Sequence, residues 1–492
     1  MGLTLKELLA GQPFEILQGS PDIEIGDIVC DSRKVVPGCL FCCLVGRTLD
    51  GHDYGPAAAK AGAAALLVEQ PVEAPADTTV VKVKDGRAAM ACAAAAFYGH
   101  PSRELHMIGI TGTKGKTTCS YMTKNILEAA GYKVGLIGTI QTMIGDEVVP
   151  SRNTTPESHE LQQLLRRMKD EGCTHVVMEV SSQGLMMHRV DGTEFELGVF
   201  TNISEDHISP TEHRTFAEYM GWKSVLFRMC QHGLVNADDP KWEEVLQGHT
   251  CDIATFGIEH SADIMAENVH LRREGRHLGV DFTLCRGDNR WTMTVGLPGK
   301  FNVENALAAA GIALYFGIGE GAIRKGLRDV HVRGRVEPVP TPSDYTILID
   351  YAHNYMSMES LLSTLREYNP GRLICLFGGG GNRARARRFD MGEISGRYAD
   401  LTILTEDNPR FEELEDIMED LKVGLERSQG RYVIIPDRKD AIAYLIDHAQ
   451  PGDIAVLIGK GHETYQDIKG VKYPFDEREV VREALKERGW QE

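Results

Sequence analysis

The sequence predicts an α/β protein of about three domains, in which largely parallel sheets are covered by helices. A chain of 492 residues is long enough for about three domains of ordinary size. Short apolar runs alternate with helical patterns, and such alternation is typical of parallel sheets. One apolar run, residues 105–111, leads through a glycine-rich turn into a helix that is stopped by Gly131. Strand, glycine turn and helix start together form the geometry in which proteins bind phosphate.

Composition excludes several classes of protein. Hydrophobic residues make up 42% and charged residues 25% of the chain, which are ordinary values for a soluble globular protein. The net charge of −18 argues against sequence-independent binding to nucleic-acid phosphates. The longest apolar run, residues 88–98, is too short to span a bilayer, and the first residues lack the pattern of a signal peptide. We therefore expect neither nucleic acid nor a membrane as a partner.

The eleven cysteines suggest free thiols in a reducing cytoplasm. Cys39 and Cys42 have the spacing of a metal-binding pair. No second pair follows them, and the surrounding sequence reads as an apolar strand, which favours buried thiols over zinc.

Residues 1–99 are predicted to form a small mixed α/β domain that holds a substrate, although spacing alone does not reveal the ligand. The predicted elements are a strand through residue 45, a helix at 54–63, strands at 65–68 and 78–83, and a helix at 88–98.

Residues 100–332 contain the phosphate-type turn. It comprises Gly112, Thr113, Lys114, Gly115, Lys116, Thr117 and Thr118. Glycines let backbone N–H groups approach phosphate oxygens, and the helix N-terminus adds favourable partial charge. Lys116 is expected to reach the outer phosphates, and the Thr117 hydroxyl is expected to bind Mg²⁺. Ile110 stands where the strict P-loop has its first glycine, so the turn is a variant of that motif.

Polar residues follow other predicted strands of this region. Glu179 lies in a buried strand that begins at residue 174, and Asp206 and His207 follow a strand at 197–202. Ligands of open parallel sheets gather at such strand ends. Glu179 is therefore expected to hold Mg²⁺ beside the turn.

Two further features of this region come from helices. Lys223 lies in a helix predicted at 216–230, where the pattern alone favours an ordinary surface lysine. An alanine-rich helix is predicted at 301–316.

Residues 333–492 alternate strands and helices and predict a doubly wound sheet. Strands are expected at 345–349, 372–377, 401–405, 432–435 and 454–458. Four strand ends carry polar clusters, which are expected to meet in one site: 350–353, 378–383, 406–410 and 459–463. A nearby run of Arg385, Arg387 and Arg388 is either a solvated face or part of an anion site.

Together these motifs resemble the Mur ligases, ATP-dependent enzymes that build the peptide of bacterial cell-wall precursors. The similarity is greatest to the branch that adds a diamino acid to UDP-N-acetylmuramoyl-L-alanyl-D-glutamate, and it covers nearly the whole chain. It rests on Asp31–Arg33, Gly112–Thr118, Asn153–Pro156, Glu179–Ser182, Thr201–Ser204, Asp206–His207, Lys223, Phe301–Asn302, Gly334–Arg335, Asp350–His353, Asp407–Arg410, Gly459–Glu463 and Phe475–Arg478.

The resemblance implies three domains. These are a UDP-sugar-binding domain at 1–99, a central P-loop-type ATP-binding domain at 100–332, and a Rossmann-like acceptor-binding domain at 333–492. The implied protein is a monomer that acts on small molecules in the cytoplasm.

The resemblance also implies a reaction for peptidoglycan synthesis, which accompanies cell growth and division. The γ-phosphoryl group of ATP passes to the D-glutamate carboxylate, and the amino group of the acceptor attacks the acyl phosphate. Lys116 and two Mg²⁺ ions supply positive charge, and the implied catalytic residues are Lys116, Glu179, His207 and Lys223. Thr117, Glu179 and His207 are the implied metal ligands. Lys223 is implied to be carbamylated by CO₂, so that it supports the second Mg²⁺.

The resemblance assigns three sets of binding residues. For ATP, the turn is joined by Asn302, Arg335, Asp350, Tyr351 and His353. For the UDP-sugar dipeptide the set is Ser32, Asn153, Thr154, Thr155, Ser181, Met187 and Arg189. For the acceptor it is Arg383, Asp407, Asn408, Pro409, Arg410, Gly459 and Glu463.

The predicted acceptor is meso-diaminopimelate, which differs from lysine by one extra carboxylate. A guanidinium such as that of Arg410 grips a carboxylate in a bidentate manner. Lysine or another amino acid stays an alternative, as in a paralogous synthetase, because several positions depart from the family pattern. These positions include Gln183, Met187, Arg333, Asn382 and Ala384.

Three other functions compete with this interpretation. A folylpolyglutamate synthetase-like ligase shares the fold and chemistry, but the first 99 residues and the motif at 407–410 argue against it. A nucleotide-dependent switch such as a GTPase lacks support, because the Asn-Lys-x-Asp guanine motif is absent. Intact Lys116 and Lys223 argue against a ligase-like protein that binds its precursors without turnover.

Overall fold

The computed structural model describes residues 2–46, 49–206, 208–209, 212–342 and 344–490. The chain divides into two compact units. Unit 1 comprises Met1–Ile264 and Ala308–Gly326, and unit 2 comprises Met265–Leu307 and Leu327–Glu492. The predicted boundaries near residues 99 and 332 stay a prediction.

The N-terminal part of unit 1 is a helix-covered sheet. Its elements are α1 Leu5–Leu8, β1 Phe14–Gln18, β2 Asp27–Val29, β3 Cys39–Cys42, α2 Gly55–Lys60, β4 Ala65–Val68, β5 Thr79–Val83 and α3 Gly86–Phe97. The strand order is β1-β5-β4-β3-β2, with β1 antiparallel to the rest. Leu40 and Cys42 join one core cluster, whereas Cys39 and Phe41 join another. Both faces of the sheet are therefore buried, as expected for parallel strands.

The remainder of unit 1 up to residue 264 carries the phosphate-type turn. Its elements are β6 His106–Thr111, α4 Lys116–Ala129, β7 Val134–Ile137, β8 Thr142–Ile144, β9 Glu147–Val149, α5 Ser158–Asp170, β10 His175–Glu179, α6 Ser182–Met186, β11 Phe195–Phe200, α7 Phe216–Ser224, β12 Cys230–Asn236, α8 Trp242–Val245 and β13 Asp252–Gly257.

These strands lie in the order β13-β12-β11-β6-β10-β7-β8-β9, in which the first six are parallel. Strands β8 and β9 continue the sheet antiparallel. In the register, Glu179 lies opposite Ile110 and Phe200 lies opposite Thr111. The carboxyl ends of β10 and β11 therefore flank the turn that follows β6.

An antiparallel meander follows, and it was not predicted from the sequence. It consists of β14 Ile264–Glu274, β15 His277–Arg286 and β16 Asn289–Val295, and two helices come after it, α9 Phe301–Tyr315 and α10 Glu320–Arg328. The register of β14 shifts between Glu267 and His270, next to Asn268 at φ 53°. This local bulge, together with many half-exposed polar residues, weakens the alternation by which such strands are recognised.

The C-terminal part of unit 2 has the predicted doubly wound form. Its elements are β17 Glu337–Val339, β18 Thr346–Asp350, α11 Tyr355–Arg366, β19 Leu373–Phe377, α12 Ala386–Tyr398, β20 Leu401–Leu404, α13 Leu414–Ser428, β21 Tyr432–Ile434, α14 Arg438–His448, β22 Ile454–Ile458, β23 Tyr465–Ile468, β24 Val471–Pro474 and α15 Glu477–Glu487.

The main sheet of this part has the order β17-β18-β22-β19-β20-β21, and only β17 runs antiparallel among these strands. Residues of β19 alternate between two cores. Leu373, Cys375 and Phe377 join a cluster with α11–α13, whereas Ile374 and Leu376 join a cluster with α14 and α15. Helices thus cover both faces, and the predicted α/β fold class is confirmed.

Most predicted elements are present with shifted ends. The strand predicted through residue 45 ends at Cys42, and the helix predicted at 216–230 ends at Ser224 and continues as a 3₁₀ turn to Arg228. Cys39 and Cys42 are fully buried free thiols, as predicted. Within the described residues, no helix is long and apolar enough to cross a membrane.

Candidate active site

The phosphate-type turn of unit 1 needs its glycines. Gly112 has φ +149°, and a Cβ at this position would lie 2.0 Å from Thr201 Oγ1. Gly115 has φ +85° and is the N-cap of α4, a helix of 14 residues. Any side chain would clash at the first position and strain the backbone at the second. The result is a tight turn that directs the positive end of α4 toward the loop.

Two lysines converge on this turn. Lys116 Nζ donates to the carbonyl oxygens of Gly112 at 2.8 Å and Thr113 at 3.1 Å. Lys223 Nζ donates to the same Gly112 oxygen at 2.7 Å. Although its pattern favoured a surface position, Lys223 is only 1% exposed. Its ammonium also lies 4.6 Å from the centre of the Tyr219 ring.

Burial, with the neighbouring charge of Lys116, lowers the pKa of Lys223 well below its usual value. Burial of this kind favours the neutral amine over the charged ammonium. The neutral amine is the form that reacts with CO₂.

Glu179 lies at the end of β10 and is 1% exposed. Thr117 Oγ1 lies 3.0 Å from both carboxylate oxygens of Glu179, which share the single hydroxyl proton. The backbone N–H of Thr139 donates to Oε1 at 2.9 Å, and the hydroxyl of Thr139 donates to Oε2 at 3.0 Å. Hydroxyl and carboxylate oxygens beside a phosphate-type loop are the hard donors that Mg²⁺ prefers. Thr117 and Glu179 therefore fit the predicted metal site.

The remaining predicted metal ligand, His207, lies outside the described residues. Within the described ranges, no group of three or more His, Cys, Asp or Glu side chains is arranged to hold a metal ion. Thr139 was not predicted, since nothing in its sequence context marks it as a neighbour of Glu179.

The residues predicted to hold the UDP-sugar dipeptide are partly brought together. Thr155 Oγ1 donates to the Glu179 carbonyl at 2.9 Å and lies 3.1 Å from Ser181 Oγ. Arg189 donates from Nη1 to the Thr155 carbonyl at 3.2 Å, and its Nη2 lies 2.7 Å from Glu157 Oε1. Arg189 Nε is buried with no hydrogen-bond partner among the described residues. Burying a donor without a partner costs free energy, and a ligand oxygen that accepted a hydrogen bond from Arg189 Nε would remove this cost.

The other members of that set are positioned differently. Thr154 Oγ1 lies 3.0 Å from Thr139 Oγ1, and Asn153 is exposed. Ser32 is half-buried in a 3₁₀ turn, and Met187 is half-buried directly after α6. Gln183, one of the departures from the family pattern, donates from Nε2 to Glu212 Oε1 at 3.1 Å.

Unit 2 contains the other residues predicted to contact ATP. Asn302 is 1% exposed, and its Nδ2 donates to the Pro298 carbonyl at 2.8 Å. The Arg335 guanidinium lies 5.2 Å from the centre of the Tyr351 ring, and the His353 ring lies 5.1 Å from it. The two rings are tilted by 56° to one another, so the three groups form a cluster of one guanidinium and two aromatic rings and not a flat stack.

Asp350 was also predicted to contact ATP, but its carboxylate is engaged inside the fold. Oδ2 accepts from the Val336 N–H at 2.8 Å, and Oδ1 accepts from the Ala352 N–H at 2.7 Å. Burial raises its pKa, opposed by the Arg335 charge and these hydrogen bonds.

The four polar strand ends of unit 2 meet in one pocket. Its walls come from the carboxyl ends of β18, β19, β20 and β22, as expected for a ligand site in a doubly wound sheet. The lining residues are Tyr351, His353, Gly378, Gly379, Gly380, Arg383, Ala384, Arg387, Arg388, Met391, Asp407, Asn408, Arg410, Gly459 and Glu463.

Of the residues predicted to hold the acceptor, Pro409 does not line the pocket. Its carbonyl faces Gly381, where a Cβ would lie 1.8 Å from the Pro409 oxygen. This approach lets the Gly381 N–H donate to the Asn408 carbonyl at 2.9 Å. Pro409 therefore shapes the loop, and the departures Arg333 and Asn382 likewise contact Asp476 and Glu412 rather than the pocket.

Arg410 is held in an unusual backbone conformation, with φ 53°. Its N–H donates to the Asp467 carbonyl at 2.9 Å, and its carbonyl accepts from the Lys469 N–H at 2.6 Å. Its guanidinium donates from Nη1 to the Gly381 carbonyl at 2.6 Å. A left-handed non-glycine residue persists only where surrounding contacts hold it, as the hairpin β23–β24 does here.

The arginine run beside the pocket is neither a simple solvated face nor a free anion site. Arg388 is 3% exposed, and its guanidinium lies 2.6 Å from Glu412 Oε2 and 3.1 Å from Asp420 Oδ2. Arg385 binds the same Asp420 at 2.7 Å. Arg387 is exposed and lines the pocket with Arg383. Only the structure distinguishes these roles, because a sequence run carries no information on which members are buried.

Comparisons with known proteins agree with this geometry. The Mur ligase middle-domain model matches residues 110–313, the Mur ligase glutamate ligase domain model matches 334–461, and the Mur ligase family catalytic-domain model matches 24–98.

Two curated relatives and one solved structure extend the match over the whole chain. A UDP-N-acetylmuramoyl-L-alanyl-D-glutamate–2,6-diaminopimelate ligase of Caldanaerobacter subterraneus subsp. tengcongensis is 43% identical, with 99% of both chains covered. A ligase of the same name from Clostridium botulinum is 42% identical, covering 94% of this chain and 96% of the relative. A solved structure with that ligase name has a TM-score of 0.72 at 28% identity, with both chains covered completely. On these full-length matches, the chain belongs to the Mur ligase family.

Proposed function

We propose that this protein is an ATP-dependent ligase that joins meso-diaminopimelate to the D-glutamate carboxylate of UDP-N-acetylmuramoyl-L-alanyl-D-glutamate. The product would be the UDP-muramoyl tripeptide used in peptidoglycan synthesis. The names of its full-length relatives support this proposal. The eleven unpaired cysteines fit a reducing cytoplasm.

The observation that carries the proposal is the pocket at the four strand ends of unit 2. It places the side chains of Arg383 and Arg410 in one cavity with those of Asp407 and Glu463. Meso-diaminopimelate carries two carboxylates and two amino groups, so a cavity lined by both signs of charge complements it. Arginine suits this task because its planar guanidinium can bind a carboxylate through two parallel hydrogen bonds.

The chemistry of the phosphate turn follows from its two lysines and the helix N-terminus. ATP would lie with its phosphates against Gly112–Thr118, where Lys116 would release the carbonyls of Gly112 and Thr113 to bind phosphate oxygens. The D-glutamate carboxylate attacks the γ-phosphorus, and ADP leaves. Because two anions approach each other, fixed positive charge lowers the barrier.

The second half of the reaction forms the amide bond. The neutral amino group of the acceptor attacks the acyl carbon, inorganic phosphate leaves with the bonding electrons, and the nitrogen loses a proton. Phosphorylation is needed because a free carboxylate is a poor electrophile. Asp407 and Glu463, as pocket residues, would hold the acceptor's other amino group, which is an ammonium.

Mg²⁺ and a carbamate complete the proposed site. Thr117 and Glu179 would hold Mg²⁺, with His207 from outside the described residues. Bound Mg²⁺ would neutralise phosphate charge in the transition state. Lys223 is buried, and burial lowers its pKa and so favours the neutral amine. This suits carbamylation by CO₂, and the resulting carbamate would support a second Mg²⁺.

L-Lysine is the second candidate acceptor. One of the departures from the family pattern, Ala384, lines the pocket in which the incoming amino acid would bind. Lysine lacks the carboxylate that would pair with the guanidiniums of Arg383 and Arg410. A site built to bind a polar group rejects an analogue that lacks it, by roughly 10⁴–10⁵ in favourable cases.

The reaction is tested by incubating the purified protein with ATP, Mg²⁺ and the UDP-sugar dipeptide, with each of a panel of amino acids in turn. We expect a product with the mass of the diaminopimelate adduct and one phosphate released per product. Phosphate release should require all three substrates. Phosphate release without any amino-acid adduct, or an adduct with a different amino acid alone, would contradict the proposal.

A further inference from the structure

Lys460 is a fully buried lysine beneath the pocket of unit 2. It follows Gly459 at the end of β22, and its side chain is 0% exposed. It does not line the pocket, although Gly459 beside it does. An isolated buried ammonium is very unfavourable, so its surroundings must compensate its charge.

The compensation comes from three side chains of the pocket wall. Lys460 Nζ lies 3.0 Å from Asn408 Oδ1, 3.4 Å from Asp407 Oδ1 and 3.5 Å from Glu463 Oε2. The centre of the Tyr465 ring lies 5.9 Å from the same nitrogen. The Lys460 ammonium is thus shared by two carboxylates and one amide of the pocket wall, those of Asp407, Glu463 and Asn408.

These contacts fix the orientation of the Asn408 amide. Its Oδ1 accepts from Lys460 Nζ and, at 2.9 Å, from the Asp467 N–H. Its Nδ2 donates to Glu463 Oε2 at 2.8 Å. Because both neighbours of Oδ1 are donors, the reversed amide would place its NH₂ against them. Lys460 therefore aligns Asn408, and Asn408 in turn aligns Glu463.

Charge balance in this cluster depends on Lys460. Burial raises the pKa of Glu463, and the nearby Asp407 also raises it, whereas Asn408 and Lys460 lower it. The Tyr351 phenol, whose pKa is raised chiefly by burial, also faces Glu463. Without Lys460, the carboxylates of Asp407 and Glu463 would lose the buried cation that lies near both of them.

We propose that Lys460 is a positioning residue of the acceptor site, which orients Glu463 through Asn408 and compensates the carboxylate that would bind an ammonium group of the incoming amino acid. This inference rests on the proposed function for its kinetic consequence. It concerns acceptor binding, so its effect should fall on the KM for the acceptor and less on kcat.

The kinetic test compares Lys460→Met, Glu463→Gln and the double variant with the wild type between pH 6 and 9. Lys460→Met should raise the acceptor KM by roughly 10- to 100-fold, the loss expected for one charge-assisted hydrogen bond. This penalty should shrink as the pH rises, because the Glu463 carboxyl of the variant ionises only at higher pH. In the double variant the KM should match that of Glu463→Gln alone, since both changes remove the same charge.

Lys439→Met is the matched control. Lys439 is an exposed lysine on α14 of the same unit, with Nζ 3.6 Å from Glu483 Oε2, and its substitution should leave the acceptor KM unchanged. A folded Lys460→Met variant with an unchanged KM, or a penalty that does not vary with pH, would overturn the proposal. If Lys460→Met does not fold, a KM of the double variant more than about tenfold above that of Glu463→Gln would overturn it.

A second readout separates this inference from the proposed function, because it needs no substrate. The unfolding midpoint of Lys460→Met should fall further below that of the wild type as the pH rises from 5 to 8, since ionised Glu463 then lacks its internal cation. The double variant should show no such trend. A pH-independent deficit would overturn the inference, whereas absence of ligation by the wild type would overturn only the proposed function.

Discussion

The phosphate turn of unit 1 and the pocket of unit 2 are built in different ways. The turn consists of consecutive residues, 112–118, whose geometry is fixed by Gly112 and Gly115 and by the strand and helix on either side. The pocket collects side chains from residue 351 to residue 463, at the ends of four strands. The first site is therefore determined by local backbone conformation, and the second by sheet topology and side-chain contacts between distant residues.

The two regions also differ in what stabilises them. Hydrogen bonds from Thr117 and Thr139 satisfy the buried Glu179 beside the turn. The pocket contains a buried ion pair between Arg388 and Asp420, and Arg388 also pairs with the half-exposed Glu412. Removing one partner of a buried pair leaves an uncompensated charge. We therefore expect the pocket to be the more sensitive region to loss of charge and to pH.

The largest effect on activity is expected at the turn. Replacing Lys116 with alanine should lower kcat/KM by about 10²–10³-fold, the usual cost of removing one group that stabilises transition-state charge. The unfolding midpoint should stay within about 2 °C of the wild type, because the fold of the turn depends on glycines. Steady-state kinetics and thermal unfolding check both values.

Lys241→Ala, which removes an exposed lysine paired with Glu244 in the same unit, is the control and should leave both values unchanged. If Lys116→Ala did not fold, the fold of the turn would depend on a charged side chain as the pocket does. This result would contradict the difference between the two regions.

In the pocket, by contrast, we expect a substitution to lower the stability of the fold. Arg388→Met should lower the free energy of unfolding by about 3 kcal/mol, because Asp420 and Glu412 each lose an ion-pair partner, and the buried Asp420 then depends on Arg385. Denaturant unfolding measures this value. Arg397→Met is the control on the same helix, since Arg397 is half exposed and pairs with Glu393 one turn away. A stability change equal to that of the control would show that the buried network does not support the pocket.

Acid should weaken unit 2 through Glu337. Burial raises its pKa, but hydrogen bonds from His331 and Arg478 outweigh burial and hold the pKa at about 2. Because the folded-state pKa lies below the usual 4.5, this carboxylate stabilises the fold above about pH 4.5, and the stabilisation is lost as the pH falls toward 2. The stability difference between the wild type and Glu337→Gln, about 3 kcal/mol above pH 5, should close over that window.

Glu479→Gln changes an exposed residue of α15, and its stability difference from the wild type should be small at every pH. Chemical unfolding at a series of pH values makes the comparison, and a constant gap for Glu337→Gln would contradict the assigned role.

A smaller effect is expected for Thr117, the proposed metal ligand of the turn. Thr117→Val removes the hydroxyl that contacts Glu179, so the Mg²⁺ concentration for half-maximal activity should rise by about tenfold or more. Thr123→Val is a close control, because Thr123 is buried on the same helix and its hydroxyl donates to the Cys119 carbonyl at 2.8 Å. An equal response of both variants to Mg²⁺ would argue against a metal role for Thr117.

The contrast between the regions also explains what the sequence could predict. The sequence correctly predicted the turn, the strand ending at Glu179 and the four strand ends of the pocket. Each of these is a local pattern of apolar residues followed by polar ones. The roles assigned to these residues stay predictions. The burial of Lys223 and Lys460 was not predicted, since a lysine within a helix or beside a glycine carries no local sign of its partners.

Three further features needed the structure for physical reasons. The meander β14–β16 has weak alternation and a bulge at Asn268. Arg388 and Asp420 are 32 residues apart, so their pairing depends on how α12 packs on α13. The left-handed conformation of Arg410 depends on a hairpin that follows it by more than 50 residues. Each of these is a consequence of tertiary packing, which overrides local preference.

The proposed function depends most directly on the acceptor pocket, and a competition assay tests it. Wild-type and Arg410→Ala proteins would each receive meso-diaminopimelate and L-lysine together, with both adducts quantified by mass. We predict that the wild type prefers diaminopimelate by roughly 10⁴-fold or more and that this preference falls by at least about 100-fold in the variant. Equal use of the two amino acids by the wild type, or an unchanged preference in Arg410→Ala, would contradict the account.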